Sequence, residues 1–239
     1  MPNTAKIIRF DPNGPANTGL EEWDAMDPAT LVAGEPVQRG HIYHEDAGAG
    51  YLAGVWDCTA FTEPMQPYGV DEYMFLLEGT LVMGMPDGTD VTITAGQGFV
   101  IPKGLTCQWK QEGYLRKFFI ILDPKLPDHA DNPSRHRITV PELMIAGQGG
   151  QPVEASRVDF VNASGSMQVG LRDCAACDFA ALPVTQNLLL QVIEGELTLT
   201  GTEDLQTFKK GEAAYVVAGG TLRWQTTDGT RLLQASYAG

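Results

Sequence analysis

The stretch EYMFLLEGTLVMGM, residues 72–85, consists of two short apolar runs parted by Glu78-Gly79. Each run has the length of a strand, and glycine is the residue a tight turn most readily accepts. The same pattern returns as NLLLQVIEGELTLT, residues 187–200, broken at Glu194-Gly195. VTITAGQGFVIPKG (91–104) and FKKGEAAYVVAGG (208–220) form a second matching pair, in which a glycine turn follows each strand. Short strands at this spacing, with few helix signals, predict an all-β sandwich or barrel.

Working outward, the whole chain matches itself. At an offset of 116 residues, EPVQRGHIYHEDAGAGYLAGVWDC from Glu35 lies over QPVEASRVDFVNASGSMQVGLRDC from Gln151. Gly54 falls on Gly170, Asp57-Cys58 on Asp173-Cys174, and Leu81 on Leu197. After one deletion the offset is 115, which places Gly104 on Gly219, Trp109 on Trp224 and Arg116 on Arg231. Chance does not hold register over such a length, so the chain carries two copies of one domain. The boundaries expected are an N-terminal arm at 1–34, barrel 1 at 35–124, a linker at 125–150 and barrel 2 at 151–239. The linker reading rests on DPKLPDHADNPSRHR (123–137), rich in proline and charge. EEWDAMDPATLVAG (21–34) and TVPELMIAG (139–147) are expected to hold short helical turns.

Composition narrows the function classes. A net charge of -14 over 239 residues argues against nucleic acid, whose phosphates such a surface repels. The densest apolar run, FFIIL, is far too short to span a bilayer, and MPNTAKIIRFDPNG lacks the apolar core of a signal peptide. Four cysteines fit a reducing cytoplasm better than a disulfide framework. The expectation is a cytoplasmic protein with a small-molecule ligand, no nucleic-acid or membrane partner, and assembly as a homodimer.

These residues resemble the cupin family, whose members are small jelly-roll barrels. The family's first motif, G-x5-H-x-H-x(3,4)-E-x6-G, ends here at Glu72 and Gly79. Its second, G-x5-P-x-G-x2-H-x3-N, begins here at Gly96, Pro102 and Gly104. The resemblance therefore implies two tandem cupin jelly-roll β-barrels in one chain. In many cupins three histidines and the glutamate bind one divalent metal. In this chain the H-x-H positions hold Met65 and Pro67, or Gln66 and Tyr68 in a shorter register, while Cys107 replaces the third histidine and Gln111 the asparagine. Glu72 alone survives as a family ligand. In barrel 2, Leu188 replaces the glutamate and Leu222 the third histidine, so that half reads as a structural or dimerising barrel. The sequence looks closest to the branch related to ureidoglycine aminohydrolase and the ethanolamine-utilisation cupins.

Three functional readings follow. The leading one is a small-molecule-binding bicupin, in nitrogen-compound metabolism, whose site in barrel 1 is lined by Tyr68, Glu72, Cys107 and Trp109. Trp109 would supply an apolar wall and Glu72 a charged anchor or general acid/base. A buried carboxylate needs a partner, and the plain alternative is a structural salt bridge from Glu72 to Arg116 or Lys117. The second reading is a metal-dependent aminohydrolase acting on a ureidoglycine-like substrate with a manganese-like ion. Glu72, His41 and His44 are its weak metal candidates, since histidines three apart on a regular strand face opposite sides. The third is a non-catalytic structural or regulatory cupin. No cofactor is expected under the first and third readings. CAAC (174–177) lacks the second pair of a zinc knuckle and reads as structural, as do Arg116 and Arg231.

Overall fold

The structure is a computed structural model, and it describes residues 4–123, 137–143, 155–201 and 205–239. Most of the expected linker therefore lies outside the described residues. The chain divides into two compact units, one of residues 11–140 with 162–164, the other of residues 1–10, 141–161 and 165–239. Both are all-β, and every ladder between their strands is antiparallel.

Barrel 1 is made of two sheets. One runs in the order Gly98–Ile101, Asp71–Glu78, Leu115–Leu122, Tyr51–Cys58, Gln38–Asp46, Glu21–Glu22. The other runs Phe61–Thr62, Thr106–Gln111, Thr80–Gly84, Asp90–Thr94, with Gln66–Pro67 also paired to Thr106–Gln111. Alternate side chains from each sheet meet inside: Trp56, Cys58, Met74 and Leu76 from the first, Leu81, Met83, Ile93 and Trp109 from the second. Gly79 turns the chain between the sheets at φ 90°, and a Cβ there would strike the carbonyl oxygen of Tyr114. The Glu-Gly turn is thus fixed by backbone strain and by space together.

Barrel 2 repeats the plan. Its larger sheet runs Ile7–Phe10, Ala213–Val216, Asn187–Glu194, Thr230–Tyr237, Met167–Cys174, Ala155–Val161. Its smaller sheet runs Cys177–Pro183, Thr221–Thr226, Glu196–Thr200, Leu205–Lys209. Leu190, Val192, Leu197, Leu199, Phe208 and Trp224 fill its core. Ile7–Phe10 pairs with Ala213–Val216, so the first ten residues belong to this unit rather than to a separate arm. Between 21 and 34 only Pro28–Thr30 coils, as one 3-10 turn, with the Asp27 carboxylate accepting from the Ala29 N–H at 2.9 Å. Thr139 bridges to Val100 in place of a helical turn, residues 140–143 form no helix, and residues 144–147 lie outside the described residues. Among the described residues no helix is long and apolar enough to cross a membrane.

Candidate functional site

Glu72 and Met74 project into barrel 1 from Asp71–Glu78, and Lys117 projects beside them from Leu115–Leu122. On that strand Leu115, Lys117 and Phe119 share the inner face, so a lysine occupies a position patterned for a core residue. Glu72 is only 4% exposed and Lys117 6%. The Lys117 ammonium lies 2.8 Å from Glu72 Oε1 and 3.0 Å from Met74 Sδ. It also stands 4.7 Å from the centre of the Trp56 ring and 4.9 Å from that of Trp109. Two indole faces and a carboxylate therefore replace the water that so buried an ammonium has lost.

The expected site residues gather around this ion pair. The Tyr68 hydroxyl donates to Glu72 Oε2, and burial together with the Glu72 charge holds that phenol well above its usual range. Tyr68 is one of the two residues at the histidine positions in the shorter register, and its backbone is bonded to the C-terminal end of the Pro-x-Gly turn. Its N–H donates to Leu105 O at 2.9 Å, and its carbonyl accepts from Gly104 N at 2.8 Å. Cys107 and Trp109 are buried on the inner face of Thr106–Gln111. Burial, with the nearby Glu63 charge, pushes the Cys107 thiol up to about 11. Met65, Gln66 and Pro67 remain exposed, outside the site.

Two further residues join the site: Glu63, at a position neither motif specifies, and Gln111, which the second motif marks only as a replaced asparagine. Glu63 is raised above the ordinary carboxyl range by burial and by Glu72, an effect that Lys117 partly offsets. Gln111, at the family's asparagine position, accepts from Trp109 Nε1 at 3.1 Å. Its amide nitrogen donates to the carbonyls of Cys58, Thr59 and Gly113 at 2.9, 3.0 and 2.9 Å. Gln111 thereby fixes the plane of the Trp109 ring, which also stacks on Phe61 at 6.0 Å. Arg116 faces away from the interior, 3.5 Å from Asp57, as Arg231 lies 2.6 Å from Asp173 in barrel 2. Of the two cations considered for Glu72, Lys117 is the partner.

His41 and His44 do not enter barrel 1. A β-bulge between Ile42 and His44 adds one residue to the strand, so both histidines come to the same face. They stand opposite Val55 and Ala53, on the face away from Trp56 and Cys58, while Ile42 packs into the interior. The expectation from a regular strand, that they face opposite sides, is corrected by that extra residue. His41 packs edge-on against Tyr43 and His44 against Tyr51.

The metal that the cupin resemblance implies does not fit these residues. Among the described residues no three His, Cys, Asp or Glu side chains are grouped to hold an ion. The one family ligand is already paired with an ammonium, and the Cys107 thiol is held in its neutral form, which is a poor ligand. The cysteines of CAAC form no disulfide, with Cys174 in the core and Cys177 Sγ 3.1 Å from Thr226 Oγ1.

A cleft of about 540 Å³ lies on barrel 1, lined in part by Met85, Val91, Gly104, Leu105, Thr106 and Arg137. Gly104 and Leu105 are the residues whose backbone holds Tyr68, so the cleft adjoins the Tyr68 side of the buried pair.

Residues 46–119 match the family model of the EutQ-like cupin domain. None of the curated proteins compared matches the chain. Among solved structures, the chain is similar to a protein of unknown function of the DUF861 family from Pseudomonas syringae pv. tomato str. DC3000. The two are 17% identical, with 99% of this chain and 100% of that one covered, at a TM-score of 0.71. A cupin 2 conserved barrel domain protein from Leptotrichia buccalis is 12% identical, with 91% and 97% covered and a TM-score of 0.61. A salicylate 1,2-dioxygenase from Pseudaminobacter salicylatoxidans is 13% identical, with 84% and 76% covered and a TM-score of 0.55. The chain has the cupin fold, and its residues 46–119 are a match to the EutQ-like cupin domain.

Proposed function

We propose that this protein is a metal-independent cupin that binds a small polar nitrogen compound in barrel 1, beside Tyr68, Glu72 and Lys117. The carrying observation is the Lys117 ammonium, 2.8 Å from Glu72 Oε1 and enclosed by Trp56 and Trp109. A fixed protein cation stands at the one carboxylate that the family uses for metal. Ammonium, phenol and two carboxyls at one place offer donors and acceptors to a small amide or ureido group, and the indole faces supply an apolar wall. The EutQ-like match supports nitrogen-compound metabolism as the setting. Homodimer formation and a cytoplasmic location belong to the same proposal.

The metal-dependent aminohydrolase reading is disfavoured by the donor set, and no step through a metal is derived. A purely structural role for barrel 1 is the remaining rival, since the ion pair fills much of the interior. Replacing the pair by the residues of barrel 2, as Glu72→Leu/Lys117→Leu, separates the two. Ligand-induced melting shifts across a panel of small amides, ureides and amino alcohols should appear with wild type and vanish with the double variant. Shifts that survive the replacement would place the ligand elsewhere.

A further inference from the structure

Glu63 stands two residues after Phe61, on the segment that pairs with Thr106–Gln111. Phe61 is buried and stacks on Trp109, so its side of that segment faces the interior of barrel 1. Glu63 continues the ladder, with its N–H donating to Trp109 O at 3.0 Å, and residues two apart on a strand share a face. The Gln108 amide nitrogen donates to Glu63 O at 3.0 Å and holds the backbone there. The half-buried carboxyl therefore comes to the polar group of barrel 1 from the smaller sheet, opposite Glu72 and Lys117 on the larger one. Its charge acts on the Tyr68 phenol and the Cys107 thiol, and it feels Glu72 and Lys117 in turn.

The ionised groups around it are matched among themselves. Glu72 accepts from Lys117 on Oε1 and from Tyr68 on Oε2, so both of its oxygens are engaged. Lys117 is the one cation of the group, and its ion pair is with Glu72. Among the described residues no hydrogen bond or ion pair reaches the Glu63 carboxyl. The group thus holds two carboxyls and one ammonium. Barrel 2 shows that the fold requires none of these side chains. Glu63, Tyr68, Glu72, Cys107 and Lys117 correspond in the repeat to Phe179, Val184, Leu188, Leu222 and Leu232, all apolar. The backbone is the same at both places. Phe179 faces Trp224 as Glu63 faces Trp109, and Val184 bonds to Gly219 and Gly220 as Tyr68 bonds to Gly104 and Leu105. An equivalent barrel is therefore built with no ionisable group at any of the five positions, and the unmatched carboxyl of barrel 1 is not a demand of folding.

We propose that the ligand of barrel 1 carries a primary ammonium group and that Glu63 is the residue that binds it. This rests on the barrel 1 reading above and names its ligand class. The ammonium supplies the positive charge that the second carboxyl lacks, through charge-assisted hydrogen bonds, and the Trp109 ring beside it favours a cation. Isothermal titration calorimetry on the full chain at neutral pH compares β-alaninamide and 3-aminopropan-1-ol with their uncharged isosteres, butyramide and butan-1-ol. One amine should bind per chain, at least about tenfold more tightly than its isostere, the difference expected for a charged hydrogen bond. Glu63→Gln keeps the shape and removes the charge, so it should erase that preference. Circular dichroism establishes that the variant is folded, and the wild-type comparison of amine with isostere decides the matter if it is not. The proposal is overturned if no amine binds, if the isosteres bind as tightly, or if Glu63→Gln leaves the amine affinity unchanged. Failure of the barrel 1 reading looks different: binding would then persist in Glu72→Leu/Lys117→Leu, which overturns both. Failure of the ammonium assignment alone leaves a ligand that this double variant abolishes and Glu63→Gln does not weaken.

Discussion

Glu72 and Lys117 form a buried ion pair at 2.8 Å, and both members are leucine at the matching positions of barrel 2, Leu188 and Leu232. Two copies of one fold thus hold the same pair of interior positions, once as an ion pair and once as two apolar residues packed with the core. A buried pair gains little over well-packed hydrophobic residues, because desolvation opposes the attraction. Breaking it halfway is another matter, since the remaining charge has no water to return to. Lys117→Leu and Glu72→Leu should each destabilise the protein by about 3–5 kcal/mol, while the double replacement should come within about 1 kcal/mol of wild type or exceed it. Urea unfolding of the four proteins measures this cycle. Additive single losses would show that the two charges are not coupled.

Glu63 makes stability fall as pH rises. Burial and the Glu72 charge raise its folded value above the ordinary one, so the folded protein holds that proton to higher pH than the unfolded chain does. Stability is then greatest below the ordinary carboxyl value and declines as pH climbs through the raised one. Glu63→Gln removes this dependence. The stability gap between Glu63→Gln and wild type should widen from pH 4 to pH 7 in urea titrations. A gap that stays constant across that range contradicts the assignment.

Cys107 should be chemically silent. Burial holds both Cys58 and Cys107 at about 11, so little thiolate is present at pH 8. Cys177 is partly exposed. Iodoacetamide on the folded protein, read by peptide mass spectrometry, should label Cys177 first and leave Cys58 and Cys107 unmodified until unfolding. Equal labelling of Cys107 would mean that the barrel 1 interior is open to reagent.

Gln111 holds Trp109 through one hydrogen bond from the indole N–H, and is itself anchored by its amide nitrogen on the carbonyls of Cys58, Thr59 and Gly113. Gln111→Leu leaves one indole donor and three carbonyls to find other partners, at a cost of at least about 2 kcal/mol. Tryptophan fluorescence should shift as the ring loses its fixed plane. A variant with wild-type melting and emission would show that the ring is held by Phe61 and Trp56 alone.

Much of this architecture is legible in the sequence, because a glycine turn and a period-2 apolar run leave few alternatives. The Glu-Gly turns at Gly79 and Gly195, and the register that lays Trp109 on Trp224, follow directly from it. Lys117 as the partner of Glu72 is also within reach: parity along LRKFFIIL puts Lys117 on the core face and Arg116 on the other. The bulge beside Tyr43 is not, since one added residue in a strand leaves no mark in composition yet reverses which side chains share a face. A motif reading also passes over the larger sheet of barrel 2, which carries Gln168, Arg172, Gln234 and Ser236 where barrel 1 has Leu52, Trp56, Phe119 and Ile121.

Metal content most directly tests the claim that a lysine holds the cation's place in barrel 1. Protein produced in manganese-supplemented medium, desalted and measured by inductively coupled plasma mass spectrometry, should contain far less than one divalent transition-metal ion per chain. About one manganese or iron per chain, lost in Glu72→Leu, would contradict the account.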